Sequence, residues 1–146
     1  ASGTLSRAPL QDVVYLAEIA SVRHQAETGD ATAQFILANR FYRGDRRFRL
    51  AQSFEDAWVW YMKSARQGHS GAAHNLGVMR LQGNGVARDL IEALAWFNIA
   101  AAQGHKNSKE LIPELEALLK PEHIRAAEAL RTELVPSAIN SGTRTS

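Results

Sequence analysis

Five histidines, a crowd of arginines and scattered carboxylates are the residues of this chain that could do chemistry. His69 and His105 each follow a glycine, in Gly68-His69 and Gly104-His105. A metal held by them would need further ligands close by, and His24, His74 and His123 show no metal-type spacing. The expectation is structural loop histidines, with no metal and no cofactor. The chain has no cysteine, which excludes disulfides, thiolate catalysis and Cys-ligated metals. It also lacks a Gly-x-Ser-x-Gly elbow, a Walker loop and a His-Glu-x-x-His pair. Asp56 and Asp89 fall where helices should begin, and negative charge there favours the helix dipole. No catalytic set emerges, and the chain reads as a non-enzyme.

Arg40, Arg43, Arg46, Arg47 and Arg49 crowd one stretch, while Glu110, Glu114, Glu116, Glu122, Glu128 and Glu133 lie toward the other end. The planar guanidinium fork matches carboxylate and phosphate, so the arginines could grip an acidic peptide or phosphate groups; a solvated insertion loop is the favoured reading. The net charge is +2, and the C-terminal glutamates interrupt any basic stripe, which argues against nucleic acid. No apolar run reaches the roughly 20 residues that span a bilayer. Nothing at the N-terminus reads as a leader peptide, and one removed earlier leaves export open. The compartment is left unknown, with envelope or periplasm and cytoplasm both open.

The elements that must position these residues come from an internal repeat. Gly29 to Gly44 aligns with Gly68 to Gly83: Ala33 matches Ala72, Leu37 matches Leu76, and Ala38 matches Gly77. Ala57, Trp60, Tyr61, Ser64, Ala65 and Gly68 then match Ala93, Trp96, Phe97, Ala100, Ala101 and Gly104. The offsets are 39 (33 to 72) and 36 (57 to 93), within the range of helical solenoids. Ala33, Leu37 and Phe41 recur at i, i+4 and i+8, and Ala57, Trp60, Tyr61, Ser64 and Ala65 follow the same 3.6-residue period. Glycines 44, 68, 83 and 104 stop helices. Small residues at 33, 38, 57, 65, 72, 77, 93 and 101 let helices approach, and Trp60, Tyr61, Trp96 and Phe97 fill the gaps only if hairpins stack.

This pattern predicts a flexible segment over 1–12, a degenerate leading helix at 13–28, repeats at 29–67 and 68–103, capping helices within 108–134, and a disordered tail at 135–146. Residues 44–54 form an insertion in the first repeat. Pro121 suits a first helical turn; Pro113 fits only if its helix starts a few residues earlier, and otherwise kinks it.

The sequence resembles the Sel1-like repeat proteins, relatives of the tetratricopeptide repeats. The likeness rests on Ala33-Gln34-Phe35, Leu37-Ala38, Phe41-Tyr42 and Gly44, on Ala72, Asn75-Leu76-Gly77 and Gly83-Asn84-Gly85-Val86, and on Asp89, Glu92 to Phe97, Ala100-Ala101 and Gly104-His105. The closing helices look like those of bacterial members. Three features depart from the pattern: the insertion, Ala38 where glycine is usual, and Asn39-Arg40 where apolar residues are common. The resemblance implies an all-α, right-handed α/α solenoid of stacked antiparallel helix pairs. It further implies an adaptor or scaffold role with a protein or peptide ligand, as a monomer or weakly self-associating chain.

In tetratricopeptide geometry the first helix of each pair lines a concave face. The helical wheel then nominates Phe35, Asn39, Tyr42 and Arg43 in one repeat and His74, Val78, Leu81 and Gln82 in the next as partner-binding residues. Aromatics and arginine suit such a surface, although Phe35 and Tyr42 could instead be packing. Two alternatives stay open: a structural part in a larger assembly, and a cell-wall or carbohydrate-binding module in which Trp58 stacks on a sugar.

Overall fold

The computed structural model describes residues 9–46 and 50–136. Seven helices occupy them: α1 (Leu10–Glu27), α2 (Ala31–Arg43), α3 (Phe54–Ala65), α4 (Ser70–Gln82), α5 (Leu90–Ala102), α6 (Lys106–Glu116) and α7 (Pro121–Leu134). Among the described residues the only β pairing is an isolated bridge between Asp45 and Leu50. α2 packs on α3 and α4 on α5, while α3 packs on α4, joining one hairpin to the next. α1 covers α2 at one end, and α6 and α7 both cover α5 at the other. The chain is an all-α solenoid.

The helix starts explain why the hairpins repeat. An exposed backbone N–H in the first turn needs an acceptor. Asp30 supplies it to Ala33 N at 2.7 Å, ahead of α2. At the corresponding places ahead of α4 and α6 the acceptor is an imidazole: His69 Nδ1 takes the N–H of Ala72 and His105 Nδ1 takes that of Ser108, both at 3.2 Å. Ser53 and Asp89 do the same for α3 and α5. Gly83 ends α4 in the left-handed conformation (φ 75°) with its N–H on Met79 O, where a side chain would be strained.

The core is rings against small residues, as the repeat pattern requires. Trp96, Tyr61, Phe97, Leu76, Met79, Leu94 and Ile99 are fully buried among Ala38, Ala57, Ala65, Ala72, Ala73, Ala93, Ala95 and Ala100. Ala101 stays half-buried, and Trp60, the counterpart of Trp96, is partly exposed.

Four boundaries differ from the sequence reading. α1 starts at Leu10, because Pro9 O accepts the N–H groups of Asp12 and Val13 and opens the helix there. Val135, expected in the tail, is buried in the main core. Residues 1–8 and 137–146 of the two expected flexible ends lie outside the described residues. α6 begins at Lys106, so Pro113 sits inside it and the helix runs on to Glu116. The insertion ends earlier than 54, because Phe54 is the first residue of α3.

Candidate functional site

A trough of about 330 Å³ opens between α2, α3 and α4, lined by Phe35, Asn39, Tyr42, Arg43, Tyr61, Asn75 and Val78. Each wall is fixed from behind. Phe35 stacks on the capping ring of His69 at 4.4 Å between centroids. Tyr42 packs on Phe54 at 4.9 Å, and its hydroxyl accepts from Asn84 Nδ2 at 2.8 Å. Tyr61 is buried and donates its hydroxyl to Asn39 Oδ1. Asn75 Nδ2 also donates to that oxygen, at 3.4 Å. Burial pushes the Tyr61 phenol up to about 12, so it stays a neutral donor over the physiological range. Arg43 is exposed at the rim.

Phe35, Asn39, Tyr42, Arg43 and Val78 are thus brought together from the eight nominated positions, whereas His74, Leu81 and Gln82 do not line the trough. His74 turns toward the C-terminal cap: its Nδ1 meets Ser108 Oγ at 2.7 Å and its ring stacks on His105 at 4.3 Å. Leu81 packs into the core around Phe97 and Leu115. Gln82 is exposed and accepts from Asn84. The helical wheel missed Tyr61 and Asn75. Tyr61 comes from a second helix, and Asn75 follows His74 on α4, one turn before Val78.

The arginine run does not form one patch. Arg40 lies over Tyr15 at 5.1 Å and donates to its hydroxyl at 2.9 Å, while the same hydroxyl donates to Asp45 in the insertion. Arg43 instead faces the trough. Arg47 and Arg49 lie outside the described residues. Trp58, nominated for sugar stacking, is half-buried and carries the Arg80 guanidinium on its ring at 5.1 Å. Arg80 is held there by Glu92 at 2.9 Å. No group of three or more His, Asp or Glu side chains is placed to hold a metal among the described residues.

Burial of the capping and stacked imidazoles predicts a stability that depends on pH. Burial, then the charge of His105, holds His74 down at about 4; the same causes lower His69, and burial lowers His105. The neutral ring is the folded form, so the contribution is complete above pH 6.5, the unfolded value. It is lost as pH falls from there toward 4, because only the unfolded chain takes up protons in that window. His74 is only partly buried, so a loss of about 1–2 kcal/mol is expected after screening. Thermal melts at pH 7 and 4.5 should show a drop in Tm that shrinks in His74→Gln, which keeps a partner for Ser108 but does not titrate. An equal drop in both proteins would contradict this.

Comparison with known proteins places the architecture. The Sel1 repeat matches residues 31–69 and 70–105. The chain belongs to the Sel1 repeat family. Sel1 repeats are in general protein–protein interaction modules, and the fold is typically a non-catalytic scaffold. A solved Sel1-like structure, the c5321 protective antigen of uropathogenic Escherichia coli, superposes with a TM-score of 0.72 at 30% identity, covering 80% of this chain and 24% of that one. A Sel1 repeat protein from Oxalobacter formigenes gives a TM-score of 0.52 at 22% identity over 77% of this chain and 98% of the other, a likeness of fold alone. Chitin synthase regulatory factor 3 of Schizosaccharomyces pombe is 33% identical over 84 residues, 58% of this chain. Chitin synthase regulator SKT5 of Malassezia restricta is 34% identical over 91 residues, 62% of this chain. The chain spans only 9% and 6% of those two proteins. No helix is long and apolar enough to cross a membrane among the described residues.

Proposed function

We propose that this Sel1 repeat unit is a non-catalytic adaptor that holds a peptide segment of a partner protein in the trough between α2, α3 and α4. The supporting observation is that Phe35, Asn39, Tyr42, Arg43, Tyr61, Asn75 and Val78 converge there. Rings supply area at little entropic cost, amides give direction, and one exposed arginine favours an acidic neighbour. The fungal relatives are named as regulators of chitin synthase; action on another protein accords with the adaptor reading.

A random dodecapeptide phage library selected on the wild-type protein tests it. Synthetic versions of the enriched peptides should bind Tyr42→Ala/Arg43→Glu at least about tenfold more weakly, a loss near 1.4 kcal/mol. Arg43→Glu alone should weaken binding with an unchanged melting temperature, since Arg43 is exposed. Equal affinity for wild type and both variants would remove the trough as the site.

One observation favours a second reading, a part in a larger assembly. α1 leaves Leu10 77%, Val13 49%, Val14 48% and Leu16 49% exposed, an apolar surface of the kind that marks contacts. Light scattering that finds a monomer at high concentration would count against self-association through it.

A further inference from the structure

The trough holds two amide side chains whose hydrogen-bonding capacity is only half used. Asn39 Oδ1 accepts from both Tyr61 and Asn75. That fixes the Asn39 amide by its oxygen and the Asn75 amide by its nitrogen. Asn39 Nδ2 and Asn75 Oδ1 then have no hydrogen-bond partner among the described residues, and both residues line the trough. Left over are one donor on α2 and one acceptor on α4, in the lining of the same trough.

We propose that this pair grips the backbone of one residue of an extended peptide: Asn39 Nδ2 donates to its carbonyl and Asn75 Oδ1 accepts from its N–H. In an extended strand a residue's own N–H and C=O point to the same side, so a single residue presents one donor and one acceptor together, the complement of the pair. A helical ligand uses both groups internally. A free carboxylate offers acceptors only, so it would set a lone pair against Asn75 Oδ1. Because side chains alternate along an extended segment, the two neighbours of the gripped residue share one face, one of them for Arg43 and the other for Phe35 and Val78. The ligand is therefore an internal, extended segment with an acidic and an apolar residue flanking the gripped one. The pairing is confined to one point: Val78 occupies the place of Asn39 in the second repeat.

This rests on the trough being the binding site, and the test separates the two ideas. A peptide enriched from the dodecapeptide library is resynthesised with each backbone amide N-methylated in turn, and binding is measured by calorimetry. Asn39→Asp keeps the oxygen that Tyr61 and Asn75 donate to and replaces the free donor with a charged acceptor. Gln82→Glu carries the same charge change at an exposed position that still accepts from Asn84. The expected result is a loss of about tenfold or more for one methylated position and for Asn39→Asp. Gln82→Glu and amidation of the peptide C-terminus should leave affinity within about twofold. Melting curves for Asn39→Asp establish that it folds, and Asn39→Ala repeats the donor loss without charge. Suppose no single methylation matters while Tyr42→Ala/Arg43→Glu still weakens binding. The backbone grip is then overturned and the trough reading survives. Loss confined to replacing an Asn or Gln side chain of the peptide overturns it too, since a carboxamide would be the ligand. Failure of the library to yield a trough-dependent peptide counts against both ideas.

Discussion

Trp96→Ala is expected to remove about 3–5 kcal/mol of stability, the range for deleting a large buried ring. Trp96 is fully buried on α5, the helix covered by α4, α6 and α7. Its indole Nε1 donates to Glu92 Oε2 at 3.2 Å, and Glu92 in turn holds Arg80 on Trp58. Truncation therefore leaves a cavity that hairpins on both sides would have to collapse, and it frees a carboxylate that orders the neighbouring hairpin. Against a typical total of 5–15 kcal/mol, the variant should be close to unfolding at 37 °C. Trp60→Ala, at the corresponding place in the first repeat, should cost about half as much, because Trp60 is already partly exposed and has Lys63 over its ring at 5.7 Å. Urea denaturation followed by circular dichroism decides the matter. A Trp96→Ala loss below that of Trp60→Ala would contradict the packing described here.

Gly77→Ala should destabilise the protein by about 3 kcal/mol, although alanine favours helix by about 1 kcal/mol in isolation. A Cβ at Gly77 would lie 2.7 Å from Phe97 Cε1, 2.8 Å from Cδ1 and 3.1 Å from Cζ. Phe97 is fully buried and packed among Ala93, Leu94, Ala95, Leu115 and Ala127, so neither side can give way cheaply. The first repeat carries Ala38 at this position, itself fully buried beside Tyr61, and Ala38→Gly should cost only about 1 kcal/mol from backbone entropy. A double-mutant cycle of Gly77→Ala with Phe97→Leu should recover at least 1 kcal/mol of coupling. A Gly77→Ala protein that melts above wild type would show that the helices have room to spare.

Ala38 and Gly77 also show how much the sequence carries. Ala33, Leu37, Ala72, Leu76, Ala93 and Trp96 recur at helical spacing with a fixed offset, and that periodicity is a direct imprint of hairpins stacking side by side. The fold was legible for this reason. The trough was legible only as far as one helix wheel reaches. Phe35, Asn39, Tyr42 and Arg43 share a face of α2, so spacing alone groups them. Tyr61 and Asn75 join from other helices, and which ring tilts toward α2 depends on inter-helix distance, which no spacing encodes. His74 was misplaced for the same reason: its ring is drawn to His105, the cap of α6, and to Ser108 within it, 31 and 34 positions along. The capping role of His69 and His105 had a signal, since both fall three residues ahead of the N–H they accept, where Asp30 does the same for α2. Pro113 sits inside α6, past the first turn where its missing N–H would cost nothing, and the helix still runs to Glu116.

The most direct measurement is a titration of the isotope-labelled protein with a library-selected peptide, followed by amide and side-chain NMR shifts. Shifts concentrated at Phe35, Asn39, Tyr42, Arg43, Tyr61, Asn75 and Val78, with little change on α6 and α7, are the expected result. Shifts centred instead on the groove of about 360 Å³ lined by Glu18, Ile19, Val22, Ile36 and Leu50 would contradict it and move the binding face to α1.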